Sequence, residues 1–317
     1  MKGRVMLPNV LGRTRELWSI RRLLLIFGGL LGFAGIAVLC VLAWFMADPA
    51  RGLKTAQEWM IDQQFGAPVQ VKHTTGSVTL WMSEKPGSRT FVFVHGFGDA
   101  GAGWTNTAAI VAQSHSVVIV DLPGHGRSDL GDAPLTIDLL REGLNAVLAE
   151  VDGPVTLVGN SMGGWVSAEW TLRHVDRVDQ LILVNTAGFS VTLERSSLLP
   201  VTRDGVAVKN RIVMGDHAPP LPGFILDGFV EMNRTPHLHA LFDHLMNDAL
   251  HLEGRFQGLH VPTILVWGTP DAYFPKDGYL TAVQREFPDA PTRILSGCGH
   301  APQYGCPREL AEVLLGR

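Results

Sequence analysis

This sequence has few cysteines and no net positive charge, and each of these two facts excludes a class of protein. The 317 residues contain three cysteines, too few for a small scaffold built on disulfides. The formal net charge at pH 7 is −4, and residues 1–22 alone contribute +5 from six basic side chains and one glutamate, so residues 23–317 carry −9. That balance excludes a nucleic-acid-binding surface. Internal repeats and low-complexity tracts are also absent, which excludes a repeat architecture.

One long stretch near the amino terminus lacks charge altogether. Residues 23–46, from Leu23 to Met46, are 24 residues without a charged side chain. As a helix this stretch would be roughly 36 Å long, enough to cross a bilayer core. A cleaved secretory signal would have a shorter apolar region and a small-x-small cleavage site, whereas Phe45-Met46-Ala47 is a poor one. We therefore predict an uncleaved transmembrane signal anchor at 23–46, in preference to a cleaved signal or a buried globular helix.

The flanks of this stretch predict its orientation. Four arginines stand in the fifteen residues before Leu23, against Arg51 and Lys54 in the fifteen after Met46. Because the basic flank stays inside, we expect a cytoplasmic amino terminus and a single-pass membrane protein whose catalytic domain lies on the periplasmic or extracytoplasmic side. The basic arm at 1–22 is explained by this topology and by contact with anionic lipid headgroups, so the lipid bilayer is an expected partner.

The rest of the chain has the pattern of an α/β protein. Residues 47–66 predict a linker helix, and two alternating runs around Thr74-Thr75-Gly76-Ser77 predict a hairpin at a sheet edge. Short apolar runs that alternate with helical patterns predict a mostly parallel sheet with helices on both faces. The predicted strands are Phe91–Val94, Val117–Val120, Val155–Val158, Leu181–Val184, Ile264–Trp267 and Thr292–Leu295, and the predicted helices are Thr136–Glu150, Gly163–His174 and Asp277–Phe287.

The stretch around Ser161 joins a buried strand to a helix through glycines. A serine on so sharp a turn takes strained backbone angles, and a Cβ at Gly159 or Gly163 would collide with the neighbouring strand and helix. The backbone N–H of Met162, at the start of the helix, would then point at an oxyanion formed when Ser161 attacks a carbonyl. This pattern is a nucleophile elbow.

Other polar groups follow the predicted strands, where the functional loops of such a sheet collect. The loop His95-Gly96-Phe97-Gly98 exposes backbone N–H groups, and that of Phe97 would be a second oxyanion donor. Asp271 follows the strand that ends at Trp267, and His300 follows the last strand. Serine, acid and histidine thus occur in that order along the chain.

Over about residues 67–317 the sequence resembles the α/β-hydrolase family. The resemblance rests on five motifs at strand ends: HGFG at 95–98, DLPGHGRSD at 121–129, GNSMGG at 159–164, WGTPDAYFP at 267–275 and GCGHAP at 297–302. It implies that Ser161 is the nucleophile, that His300 is the general base and then acid, and that Asp271 holds the imidazole and stabilises its charged form. It implies no cofactor. The sequence departs from its relatives at Gly305, where they often carry a glutamate.

Within the family, NTAG at 185–188 and the predicted anchor resemble the monoacylglycerol-lipase-like branch. The stretch between Val184 and Ile264 is too long for a simple crossover, so we predict an inserted cap at 190–259 on a core formed by 67–189 and 260–317. Because the cap is rich in Leu, Phe, Met and Pro, a lipid-like acyl ester such as a monoacylglycerol is the expected small-molecule substrate.

Several alternatives stay open on the sequence. A dehalogenase or epoxide hydrolase of this fold would need aspartate at position 161, so Ser161 argues against both. A carbon–carbon bond hydrolase or a cofactor-free haloperoxidase shares the same three residues and differs in its cap and pocket. A non-catalytic binding protein on this fold is disfavoured by the intact motifs.

The remaining histidines and cysteines are assigned structural roles or left open. His237, His239, His244 and His251 are grouped in the cap, but His237 and His239 fall on different sides of a helix, so no metal site is predicted. His95 and His125 are predicted to be structural loop residues. Cys298 and Cys306 bracket His300 and form either a disulfide or two buried thiols, since sequence does not establish their separation.

Overall fold

An eight-stranded sheet organises the molecule. The structure is a computed structural model that describes residues 43, 45–247, 250–256 and 259–317. The strands are β1 (Val69–Lys72), β2 (Ser77–Ser83), β3 (Thr90–Val94), β4 (Ser116–Asp121), β5 (Val155–Asn160), β6 (Val178–Val184), β7 (Thr263–Thr269) and β8 (Thr292–Ser296). Their order across the sheet is β1-β2-β4-β3-β5-β6-β7-β8. The β1–β2 and β2–β4 pairs are antiparallel and all other pairs are parallel, which confirms the predicted sheet and its edge hairpin.

Helices cover both faces of this sheet. They are α1 (Pro49–Phe65), α2 (Thr105–Val111), α3 (Ile137–Ala149), α4 (Met162–Thr171), α5 (Arg195–Leu198), α6 (Arg203–Met214), α7 (Gly223–Met232), α8 (Pro236–Leu245), α9 (Thr281–Glu286), α10 (Pro302–Gly305) and α11 (Pro307–Leu314). One buried cluster joins α3, α4 and α9 to the sheet, and a second joins α1, α2 and α11 to its other side. The central strands are therefore buried on both sides, and this is why they are continuous apolar runs.

Two predicted elements differ from the structure in instructive ways. The last strand, β8, was expected to be buried, but it lies at the sheet edge and Ile294 is 43% exposed. The helix expected to begin at Asp277 begins at Thr281 as α9, because Asp277 and Gly278 have non-helical angles, with φ +104° at Gly278. By contrast, Thr136 caps α3 where expected by accepting the N–H of Leu139.

Four helices, α5 to α8, lie between β6 and β7. They fall within the stretch predicted as a cap, and several of their apolar side chains form a separate small cluster around Leu199, Leu238 and Phe242. The exact division into arm, linker, core and cap stays a prediction.

The predicted membrane localisation is corrected by the structure. Among the described residues, no helix has both the length and the apolar character needed to span a bilayer. Residues 1–42 and Trp44, which include most of the predicted span, lie outside the described residues. The described end of that span packs on protein, since the ring of Phe45 meets that of Phe224 edge-on at 5.7 Å. The prediction of a single-pass membrane protein with an extracytoplasmic catalytic domain is wrong on the finding that no described helix could span a bilayer.

Candidate active site

The turn between β5 and α4 holds Ser161 in a strained conformation. Ser161 has φ 54° and ψ −120°, a region that residues with a Cβ rarely occupy. The turn is held because the N–H of Ser161 donates to Val184 O at 3.0 Å. A Cβ on Gly159 would lie 2.4 Å from Gly163 O, and one on Gly163 would lie 2.3 Å from Val94 O. The two glycines therefore permit the close packing of strand, turn and helix that the elbow needs.

His300 and Asp271 form a buried pair beside this turn. His300 Nδ1 lies 2.7 Å from Asp271 Oδ2, and both side chains are almost inaccessible to solvent. The other carboxylate oxygen, Oδ1, accepts the backbone N–H groups of Tyr273 at 2.8 Å and Phe274 at 3.1 Å. Because the carboxylate is held on both oxygens, it fixes the imidazole with Nδ1–H toward Asp271 and Nε2 free for proton transfer.

Asn185, at the end of β6, is a fourth residue of this group that sequence reasoning did not assign to the site. Its amide donates to Asp271 Oδ2 at 2.8 Å and to Gly268 O at 3.0 Å, and its Oδ1 accepts the N–H of Gly268 at 2.7 Å. The backbone at Asn185 has φ 40°, which asparagine tolerates better than most residues. A buried polar residue directly after an apolar strand was the signal that could have identified it.

Asn160 plays a comparable part immediately before Ser161. Its amide donates to Val184 O at 3.0 Å and to His300 O at 3.1 Å, and its Oδ1 accepts from Gln303 at 2.9 Å. Asn160 therefore joins the serine turn to the histidine loop through buried hydrogen bonds.

The loop at 95–98 lies against the serine turn. A Cβ on Gly96 would lie 3.2 Å from Ser161 Cβ, so glycine allows this close approach. Gly98 adopts φ +65°, which reverses the chain after Phe97. In the described part of the chain, no protein acceptor engages the backbone N–H of Phe97 or of Met162. These two N–H groups therefore remain available to a ligand.

Two buried histidines brace this loop. His95 Nε2 accepts the N–H of Leu122 at 3.0 Å, and its Nδ1 lies 2.8 Å from Gly96 O. His125 Nε2 accepts the N–H of Gly98 at 3.4 Å, and its Nδ1 lies 3.0 Å from Pro123 O. Burial lowers the pKa of His95 to about 4 and, with the nearby His95, that of His125 to about 3. Both rings are therefore neutral near pH 7, and each connects two backbone segments through its hydrogen bonds.

The loop that carries His300 is hydrogen-bonded to α6 and closed by a disulfide. The N–H groups of His300 and Ala301 donate to Ile212 O at 2.8 Å and Val213 O at 2.9 Å, at the end of α6. Cys298 and Cys306 are bonded to each other, with Cα atoms 5.5 Å apart. Of the two alternatives that the sequence left open, they form the disulfide and not two buried thiols.

The same packing explains the absence of a side chain at Gly305. A Cβ there would lie 2.6 Å from Met214 O and 2.9 Å from Cys298 O. Backbone atoms of Met214, at the end of α6, and of Cys298 therefore leave no space for a side chain at position 305.

A mostly apolar pocket opens in front of Ser161 and His300. Its empty space measures about 510 Å³ including the mouth. The apolar lining residues are Phe97, Met162, Trp165, Ala187, Gly188, Phe189, Val191, Leu193, Leu198, Phe242, Leu245, Met246 and Phe274, and the polar ones are Ser161, His251, Tyr273 and His300. Neither arginine nor lysine lines the described wall, so the pocket suits an uncharged, largely apolar ligand.

The histidines of the cap do not converge. Across the described ranges, no three His, Cys, Asp or Glu side chains are placed to hold one metal ion. His239 Nε2 instead lies 3.0 Å from Asn233 O, whereas His251 lines the pocket.

An elbow serine, a carboxylate-bound histidine and two backbone N–H groups near one pocket are the groups that a nucleophilic hydrolase mechanism requires. Residues 91–313 match the model of the alpha/beta hydrolase family, and the chain belongs to that family.

Two curated proteins are similar to the chain over most of its length. The chain is 29% identical over 245 residues to a 2-hydroxy-6-oxononadienedioate/2-hydroxy-6-oxononatrienedioate hydrolase of Cupriavidus pinatubonensis, covering 69% of this chain and 82% of the relative. It is 27% identical over 253 residues to an uncharacterised protein of Mycobacterium tuberculosis H37Rv, covering 70% of this chain and 73% of the relative.

Solved structures share the fold at lower identity. A bacterial membrane phospholipase A aligns with a TM-score of 0.72 and 21% identity, over 96% of this chain and 97% of that one. Carboxylesterase CesB of Bacillus subtilis aligns with a TM-score of 0.65 and 17% identity, over 83% of this chain and 97% of that one. At these identities the alignments establish the fold alone.

Proposed function

We propose that this protein is a serine hydrolase that cleaves carboxylic esters with an apolar acyl chain, such as monoacylglycerols. The observation that carries the proposal is the position of Ser161 and of the Asp271-bound His300 on one apolar pocket. A neutral acyl ester can place its carbonyl at Ser161 and its chain against the aliphatic wall of the pocket, where burial of methylene groups supplies binding energy.

The mechanism follows from the geometry. His300 Nε2 takes the proton of Ser161 as Oγ attacks the acyl carbon, and Asp271 stabilises the imidazolium that forms. The N–H groups of Phe97 and Met162 hold the oxyanion. His300 then protonates the leaving alcohol, and a water molecule, activated by the same imidazole, hydrolyses the acyl-enzyme. No cofactor takes part in this sequence.

The alternative is a carbon–carbon bond hydrolase, because that is the named activity of the Cupriavidus relative. A dioate carries two carboxylates, and such a substrate needs cationic partners when it leaves water. The described pocket wall contains no lysine or arginine, and its side chains are mainly Leu, Phe, Val and Met. We therefore favour ester hydrolysis over cleavage of a dicarboxylate.

The test is a comparison of kcat/KM for esters of increasing acyl length, measured below the micelle concentration, with Ser161→Ala as the blank. Each buried methylene contributes up to about 0.8 kcal/mol, so kcat/KM should rise several-fold for every two carbons until the pocket is full. A maximum at acetate or butyrate would contradict the lipid-like substrate but not ester hydrolysis. Turnover of the dioate without turnover of any ester would contradict both.

A further inference from the structure

One donor in the pocket wall has no hydrogen-bond partner in the part of the chain that the structure describes. Trp165, one turn after Ser161 on α4, is 2% exposed and lines the pocket, and its indole N–H makes no hydrogen bond to the described protein atoms. Trp170 on the same helix shows the usual arrangement, because its indole N–H donates to Asn145 Oδ1 at 3.1 Å. A buried N–H without an acceptor is costly, and that cost is recovered when a ligand oxygen binds there.

His251 lies beside Trp165 and lines the same pocket. The two rings meet edge-on with their centroids 5.8 Å apart, and His251 Nδ1 lies 3.3 Å from the hydroxyl of Ser190. An imidazole can both donate and accept. This part of the wall is therefore a polar end in a pocket that is otherwise apolar apart from Ser161, His300 and Tyr273, and the Tyr273 hydroxyl already donates to Ser197 O at 2.7 Å.

The local charge favours a neutral ligand group over an anion. Glu253 lies behind His251 and accepts the backbone N–H of Ser190. Although burial opposes ionisation, the Ser190 N–H and the nearby His251 hold the pKa of Glu253 below its usual value, so the carboxylate is charged at neutral pH. A phosphate or carboxylate at this end would face that charge with no arginine or lysine in the described wall to offset it.

We propose that Trp165 and His251 form a binding subsite for a free hydroxyl on the alcohol part of the substrate. Residues four apart on a helix lie about 6 Å from each other, so the Trp165 side chain is within reach of atoms two or three bonds from an ester held at Ser161. Glycerol places its hydroxyls at that distance. The subsite rests on the proposed ester hydrolysis and narrows it to neutral monoesters of polyols, with monoacylglycerols as the representative class.

The experiment compares two substrates with the same acyl chain and the same three-carbon alcohol skeleton. The measured quantity is the ratio of kcat/KM for 1-monodecanoylglycerol to kcat/KM for propyl decanoate, both below the micelle concentration. Trp165→Phe removes the indole N–H and keeps an aromatic ring. His251→Phe removes both imidazole nitrogens and also keeps an aromatic ring. Each should lower the ratio about three- to tenfold, the effect of one lost neutral hydrogen bond. Trp170→Phe, the matched control, should leave the ratio unchanged.

The ratio separates the possible failures. Damage to folding or to the chemical step lowers kcat/KM for both esters alike, so it cancels in the ratio. Labelling of Ser161 by a fluorophosphonate counts the active molecules. If the wild-type protein cleaves neither ester, the proposed function fails. If it cleaves both and neither Trp165→Phe nor His251→Phe changes the ratio, ester hydrolysis stands and the hydroxyl subsite is overturned.

Discussion

Asn185 shows how one residue outside the serine–histidine–aspartate group controls its chemistry. Its amide donates to the same oxygen of Asp271 that binds His300, so it withdraws part of the negative charge that the histidine feels. The residue also ties β6 to β7 through its two hydrogen bonds with Gly268. Asn185 therefore holds the carboxylate in position beside His300.

We predict that Asn185→Ala lowers kcat/KM about tenfold on a soluble ester. Without the amide donor, the Asp271 carboxylate loses one of the hydrogen bonds that hold it toward His300. The measurement is kcat/KM of the variant, taken together with its free energy of unfolding. Asn233→Ala is the control, because Asn233 is also buried and donates to Pro200 O at 2.9 Å, but lies between β6 and β7 away from Asp271. An unchanged kcat/KM in Asn185→Ala would contradict this positioning role.

Gly163 illustrates the steric requirement of the elbow. We predict that Gly163→Ala destabilises the protein by about 3 kcal/mol or more, since its Cβ would lie 2.3 Å from one backbone carbonyl oxygen and 2.4 Å from another. Gly153→Ala is the matched control: its φ is +74° but no atom lies within 4 Å of the added Cβ, so only about 1–2 kcal/mol of backbone strain is expected. Urea unfolding of the two variants gives the comparison. Equal losses would show that the elbow can relax around a methyl group.

At the scale of elements, the loop at 95–98 and the turn at 121–125 are held together by neutral histidines. His125 is the more strongly perturbed, and its ring centroid lies 5.0 Å from that of His95. Because each ring donates from Nδ1 and accepts at Nε2, a proton on Nε2 would break the bond to the opposing backbone N–H. The loop that carries the Phe97 N–H thus depends on two histidines staying neutral.

This dependence predicts an acid-sensitive contribution to stability. Burial lowers the pKa of His125 from 6.5 to about 3 in the folded protein, so its contribution is complete above about pH 6.5 and is lost as the pH falls toward 3. We expect the free energy of unfolding of wild type to fall by about 1.4 kcal/mol per pH unit, relative to His125→Gln, between about pH 6 and pH 4. Urea titrations of both proteins at several pH values measure the difference. A difference independent of pH would rule out the neutral buried ring.

At the scale of the whole molecule, α1 contacts both the sheet and the helices that lie between β6 and β7. Asp62 on α1 binds the guanidinium of Arg127 through two hydrogen bonds of 2.9 and 2.8 Å and also accepts the indole N–H of Trp81 at 2.9 Å. The other end of α1 packs on α7, where a Cβ on Gly228 would lie 2.6 Å from Leu53. One helix therefore contacts both β2 of the sheet and α7, one of the four helices between β6 and β7.

We predict that Arg127→Ala lowers the free energy of unfolding by about 1–2 kcal/mol. It should also make proteolysis within residues 49–66 faster, because α1 is held less firmly. The loss exceeds that of an ordinary surface pair because the geometry is bidentate and Asp62 is left without its cation. Limited proteolysis with mapping of the first cuts is the direct measurement. Arg203→Ala removes a bidentate pair with Asp227 that is open to solvent, and should leave the cutting pattern unchanged. First cuts elsewhere in Arg127→Ala would argue against this role of α1.

The sequence by itself determined the order of strands and helices, the elbow around Ser161 and the positions of Asp271 and His300 at strand ends. These features are local, since residues adjacent in the sequence determine strand runs and glycine-rich turns. It could not show that β8 lies at the other edge of the sheet, so the exposure of Ile294 was missed. The predicted single-pass membrane topology was wrong, since no helix among the described residues has the length and apolar character to span a bilayer.

Only the tertiary structure decided the contacts between residues distant in the chain. Asn185 and Asp271 are separated by 86 residues, and Cys298 reaches Cys306 only because the loop folds back against α6. Only the tertiary structure, likewise, shows that the N–H of Trp165 has no acceptor among the residues it describes. Hydrogen bonds and burial depend on direction and distance in space, and a pattern of residue types along the chain does not specify either quantity.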